Sequence, residues 1–123
     1  MKEEWTVSMK AIVRQIDSVT IVDVSGRITL GEGCTQLREL IREQLAKGNK
    51  NVLLNLGDVI YIDSSGIGEL VSSYTAVSNQ GGNLKLLNLT KKVQDLLQIT
   101  KLYTIFDVHD DEAKAITSFS ASA

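Results

Sequence analysis

The spacing of apolar residues changes several times along the chain, and each change marks an element. Residues 7 to 16, "VSMKAIVRQI", and 19 to 25, "VTIVDVS", are rich in β-branched side chains and flank Asp17-Ser18. This pattern predicts two antiparallel strands joined by a tight turn. "GRITLGEG", residues 26 to 33, has three glycines in eight positions and reads as a loop. From Thr35 the period becomes helical, with Leu37, Leu40, Ile41 and Leu45 on one face. Gly48-Asn49 ends that helix as a left-handed cap would. "NVLLNL", residues 51 to 56, is a continuous apolar run, the mark of a strand covered on both faces. Ile67, Leu70, Val71 and Tyr74 then follow helical spacing until "NQGGN" at 79 to 83. "LKLLNL", residues 84 to 89, is a second buried-type strand, and Thr90 can cap a short helix through Val93, Leu96 and Leu97. "LYTIFDV", residues 102 to 108, reads as a last short strand. Asp110 or Asp111 starts a final helix carrying Ala113, Ile116 and Phe119.

Strands alternating with helices predict an α/β fold: a mixed, largely parallel sheet with an N-terminal antiparallel hairpin and about four helices. A chain of 123 residues, 43% apolar and 23% charged, suits one such domain. The expectation is a single domain over 1–123, with its core at about 7–119 and a short frayed tail at "SASA". Thirteen basic and 15 acidic residues are intermixed, for a net charge of −2. No basic stripe exists, which argues against nucleic acid as a partner. No apolar run exceeds five residues, so no membrane span is expected. "MKEEWTVSMK" has no apolar core of signal-peptide length, which points to the cytoplasm. Cys34 is the only cysteine and His109 the only histidine. That argues against a disulfide framework, a zinc site or a histidine-based triad, and no cofactor is expected. Cys34 falls near a helix start, where a thiol can become more acidic, although lone cysteines are mostly small buried apolar residues.

The candidate chemistry lies in "VIYIDSSGIGELV", residues 59 to 71. Gly26 to Gly31 has the gap of a phosphate-binding loop, but Glu32 stands where its lysine belongs. "SGIG" lacks the third glycine of a dinucleotide fingerprint. Ser64 and Ser65 have Ile62 and Asp63 where a nucleophile elbow needs glycine. Asp58 and Asp63 could form an acid pair, but nothing supplies a third group, and no catalytic residue is assigned. What remains is a strand end meeting a helix start, where unpaired N–H groups and the helix dipole favour negative charge. Asp63, Ser64 and Ser65 are all good caps, so one can serve the helix while another points outward. Gly66 and Gly68 each cost about 1 kcal/mol against alanine within a helix, which suggests a surface that needs the backbone bare. Spacing alone leaves open whether these residues only cap the helix or form a site.

The stretch from "LNLGDVIYIDSSGIGELV" to "LYTIFDV" resembles the bacterial anti-sigma factor antagonists of the STAS domain family. The likeness includes "VSGRITLGEG" after a hairpin, Asp-Ser-Ser-Gly-Ile-Gly at the strand end, and Gly-Gly before the next strand. The resemblance implies that Ser64, the serine directly after the aspartate, is phosphorylated by a partner kinase that is itself the anti-sigma factor. Unphosphorylated antagonist binds that kinase and frees the sigma factor, phosphorylation releases it, and a PP2C-type phosphatase resets the switch. The implied partner-binding residues are Asp63, Ser65, Gly66, Ile67 and Gly68 at the corner, with Thr29 and Glu32 from the preceding loop. Ser65 would serve the helix as cap or packing residue, while Asp63 would orient the Ser64 hydroxyl or meet a basic group on the kinase. The loop "GRITLGEG" departs from the Gly-x-Leu/Phe-Asp type of the best-known members. Two other readings stay open: a docking subunit of a signalling scaffold or lipid-transport ABC complex, and a small-ligand-binding or enzymatic domain using the same corner.

Overall fold

The computed structural model describes residues 9–121. Val7 and Ser8 of the expected first strand, and Ser122 and Ala123 of the expected tail, lie outside the described residues. β1 (Met9–Ile16) and β2 (Val19–Ile28) form the expected antiparallel hairpin, with Ile16 opposite Val19. Asp17 turns the chain with a φ of 55°, a conformation aspartate tolerates because its short side chain can bond locally. β3 (Asn51–Ile62), β4 (Asn83–Leu87) and β5 (Val108–His109) add in parallel, giving the strand order β1-β2-β3-β4-β5. The crossovers are α1 (Glu32–Ala46), α2 (Ser64–Asn79) and α3 (Lys91–Ile99), and α4 (Glu112–Ala121) closes the order.

The core explains why the central strands are continuously apolar. Val22, Val24, Val52, Leu54, Leu56, Leu84 and Leu86 pack with Leu37 and Ile41 of α1, Ile67 and Leu70 of α2, and Val93 and Leu97 of α3. The alternate residues Val19, Ile21, Leu53 and Leu87 pack on the other face against Ala115 and Phe119 of α4. Both faces of β3 are therefore covered from Val52 to Leu56, as a parallel sheet requires, while Ile60 and Tyr61 near its end are exposed. The face carrying α4 also holds polar ties. Arg14 of β1 donates to Asp23 of β2 at 2.6 Å and to Glu112 of α4 at 2.8 Å. Lys85 is buried within β4 and reaches the Ser118 hydroxyl at 2.8 Å and Asp107 at 3.1 Å, over the ring of Phe119.

Several boundaries differ from expectation. β2 continues past Ser25 to Ile28 and β3 past Leu56 to Ile62, still paired, with register shifts between Asp23 and Ser25 and between Gly26 and Arg27. Such irregularities break the period-2 alternation, so the sequence pattern does not show the extension. "GRITLGEG" is accordingly a shorter loop, because α1 begins at Glu32 rather than Thr35, with Gly31 at φ 98° before it. Residues 102–108 are not one strand: Tyr103–Ile105 is a 3₁₀ turn and only Val108 of this stretch joins β5. Phe106 between them turns into the core, edge-to-face with Tyr74 at 5.5 Å. Ser120 and Ala121 of the expected tail belong to α4.

Candidate functional site: the corner between β3 and α2

β3 ends at Ile62 opposite Ile28, so the end of β2 and the start of α2 lie side by side. Asp63, in extended conformation, is the cap of α2. Its Oδ1 accepts from the Gly66 N–H at 2.8 Å, satisfying one of the helix's unpaired donors. Its Oδ2 accepts from the Leu30 N–H at 3.2 Å, in the loop between β2 and α1. The cap is thus Asp63 and not Ser65, which was expected to serve the helix as cap or packing residue, and one carboxylate joins two segments remote in sequence. Ser64, the first residue of α2, is exposed and makes no side-chain hydrogen bond among the described residues. Ser65 follows half-buried.

The two glycines differ. A Cβ on Gly66 would lie 2.1 Å from the Ile28 carbonyl oxygen and 2.6 Å from Ile62 Cγ1. Gly66 is therefore bare because β2 passes against it. Around Gly68 nothing lies within 4 Å, and the residue is exposed. Ile67 is 2% exposed and packs in the core, so Gly66 and Ile67, implied to be partner-binding, turn inward and offer no side-chain surface to a partner. Helical spacing brings both against the sheet and leaves Ser64 and Gly68 outside.

Of the loop residues, Thr29 is half-buried and its carbonyl accepts from the Cys34 N–H at 3.1 Å, while Glu32 is exposed at the start of α1. Between them stands Leu30, 77% exposed. The available signal in the sequence was its being one of only two apolar residues in the polar, glycine-rich "GRITLGEG", the other being Ile28. The Asp63–Leu30 bond places Leu30 beside the corner that presents Ser64.

Cys34 lies under this corner, buried at 6% exposure. Burial, with the negative charges of Glu69 and Asp63, pushes its thiol up. The acidic shift considered for a helix-start thiol is thus reversed, and the residue is a buried apolar one. Glu69 of α2 is itself buried and is paired with Arg38 of α1 at 2.9 Å, a tie between the two helices.

Among the described residues the remaining polar clusters form no catalytic arrangement. Asp107 Oδ2 and Ser118 Oγ approach the same His109 nitrogen, Nε2, at 3.0 and 3.4 Å, whereas a triad needs one partner on each ring nitrogen. Asp58 and Asp63 find no third group: Asp58 is exposed, and Asp63 is engaged by two backbone N–H groups. A polar cleft of about 760 Å³ opens beside the middle of β3 and the ends of β4 and β5, lined by residues including Asn55, Asn88, Gln94 and His109. It has no lysine or arginine for a phosphate and shares no lining residue with the Ser64 corner. Among the described residues no group of three His, Cys, Asp or Glu side chains could hold a metal, and no helix is long and apolar enough to cross a membrane.

Residues 10–115 match the family model of the STAS domain. Over 96 residues the chain is 33% identical to the anti-sigma-B factor antagonist of Bacillus subtilis, covering 78% of this chain and 86% of that protein. Its fold is similar to that of a solved Thermotoga maritima protein, with a TM-score of 0.82 and 25% identity over 89% of this chain and 94% of the other. The anti-sigma factor antagonist SpoIIAA in unphosphorylated form superposes with a TM-score of 0.77 at 18% identity, covering 91% and 97% of the two chains. In its phosphorylated form the Bacillus protein gives 0.70 at 18% identity, covering 89% and 98%. Fold, corner motif and these likenesses agree: the chain belongs to the STAS domain family, and its named relatives are anti-sigma factor antagonists.

Proposed function

We propose that this protein is an anti-sigma factor antagonist whose partner is a serine kinase, and that Ser64 is the residue the kinase modifies. Unmodified, it binds the kinase and frees the sigma factor. Phosphorylated, it lets go until a PP2C-type phosphatase removes the phosphate. The protein itself is a binding component of the cytoplasm and catalyses nothing.

The observation that supports this reading is the contrast between Ser64 and its neighbour. Asp63 is engaged by backbone N–H groups on both carboxylate oxygens, while Ser64 stands exposed on the first turn with its hydroxyl unused by the fold. In the transfer, Ser64 Oγ attacks the γ-phosphorus of ATP, the bond to the β-phosphate oxygen breaks, and ADP leaves. The hydroxyl proton passes to a base on the kinase. The added charge of about −1.5 to −2 sits at a helix N-terminus, which favours it, so the domain itself survives modification. The penalty falls on the complex, where the phosphate must be desolvated against the partner. Misplaced interfacial charge costs several kcal/mol, and about 1.4 kcal/mol is tenfold in affinity. In this reading the partner contacts Ser64, Gly68 and the Thr29–Glu32 loop. Gly66, Ile67, Asp63 and Ser65 shape that surface from beneath.

Incubation with candidate anti-sigma kinases and ATP, followed by intact mass and peptide mapping, tests the reading. One phosphate on Ser64 is expected, absent in Ser64→Ala, and Ser64→Asp binds the kinase at least tenfold more weakly. If no kinase modifies the protein and Ser64→Asp binds every partner normally, the switch is excluded and a docking role in another assembly takes its place.

A further inference from the structure

We infer that Asp63 is a positioning residue that carries the phosphorylation state of Ser64 to Leu30. The inference rests on the switch proposed above and concerns how the modification is read. The Leu30 N–H has one partner, Asp63 Oδ2, at 3.2 Å in an exposed position. The loop's other backbone bonds, Cys34 N–H to Thr29 and Thr35 N–H to Gly31, lie to either side and leave Leu30 itself to the carboxylate. Leu30 is also a large apolar side chain standing 77% exposed. A phosphate on Ser64 places a dianion on the residue adjacent to the Asp63 carboxylate. The two anions repel, which strains both bonds of the Asp63 carboxylate. Of Asp63's two bonds, the one to Gly66 is shorter, at 2.8 Å, and part-buried, so the bond to Leu30 yields first. The phosphate therefore removes the partner's apolar contact as well as adding charge, with no rearrangement of α2.

Asp63→Asn separates the two bonds. An asparagine oxygen caps a helix as well as aspartate does, so the bond to Gly66 stays. Its other atom is an NH₂ donor and cannot accept from the Leu30 N–H. The experiment is amide exchange by NMR on three free proteins: unmodified, carrying phosphoserine incorporated at position 64 during synthesis, and Asp63→Asn. At Leu30, exchange is expected to quicken about fivefold to tenfold in the second and third proteins, the range that loss of one hydrogen bond produces, while Gly66 stays protected. Unchanged or slower exchange at Leu30 in the phosphoserine protein overturns the relay. Unchanged exchange in Asp63→Asn overturns the assignment of the bond that holds Leu30. No kinase enters this experiment, so its outcome is read independently of whether a kinase modifies Ser64.

Discussion

Gly66 offers the sharpest physical test, because the two glycines of Gly66-Ile67-Gly68 are expected to respond with opposite sign. A methyl on Gly66 arrives 2.1 Å from the Ile28 carbonyl oxygen and 3.1 Å from its carbon. Ordinary contact begins at 3.4 Å, so the start of α2 must move away from β2 by about an ångström. The obstacle is strand backbone, which has no rotamer to change. Asp63 N–H bonds that same carbonyl at 3.4 Å, so the shift disturbs the cap as well. Overpacking costs about 1–3 kcal/mol, and a rigid backbone contact belongs at the top of that range. The better helix propensity of alanine returns about 1 kcal/mol. The net expectation for Gly66→Ala is a loss of about 2 kcal/mol, or roughly 8 °C in Tm for a domain of this size. Gly68→Ala meets nothing within 4 Å and keeps the propensity gain, for a rise of roughly 2–4 °C. Thermal unfolding followed by circular dichroism, with urea titration as a second measure, reads both. A Gly66→Ala protein as stable as the parent refutes the close approach. A Gly68→Ala protein that melts lower refutes the open face.

The Arg14 guanidinium, followed by the Asn55 amide, holds the Asp23 carboxyl below the usual carboxylate range despite its partial burial. A depressed folded value means stability that is present above about pH 4 and is lost as pH falls through the folded value. Asp23→Asn is therefore expected to be less stable at neutral pH and to show a shallower acid limb below about pH 4 in unfolding titrations; an unchanged acid limb counts against the network. Cys34, buried with a raised thiol, is expected to react with a disulfide reagent at pH 8 at least about a hundredfold more slowly in the native protein than in urea. Comparable rates in the two states would remove it from the core. Arg38→Leu leaves Glu69 buried without its ion-pair partner and is expected to lower Tm, while adding Glu69→Leu recovers part of the loss. A double variant no better than the single shows that an unpaired charge on Glu69 is not what the Arg38 substitution costs.

Much of the fold was legible locally. Periods of 2 and 3.6 report which face each element buries, and Gly48, with φ 86°, ends α1 where glycine and asparagine predicted a left-handed cap. Thr90 caps α3 through its hydroxyl, as its place before the helix implied. The corner motif was equally plain, since Asp-Ser-Ser-Gly between an apolar run and a helical period can only sit at a strand–helix junction. What the pattern could not carry was distance between segments far apart in the chain. Asp63 as a bridge to Leu30 spans 33 residues and depends on β2 and β3 staying paired to Ile28 and Ile62 through two register shifts. Those irregularities cancel the alternation that would have announced the pairing.

The same limit decided the glycines. Two equal backbone gaps in sequence became one internal contact and one open position, because only the tertiary approach of β2 distinguishes them. Lys85 is likewise a charged residue within an apolar strand, buried because α4 and Asp107 arrive to meet its ammonium group. The sequence by itself determined the order of elements, the inward faces and the chemistry available at the corner, because local periodicity and capping depend on neighbours in the chain. Tertiary structure alone decided which corner residues face inward and that Leu30 is tied beside them, because those outcomes depend on which strands lie side by side.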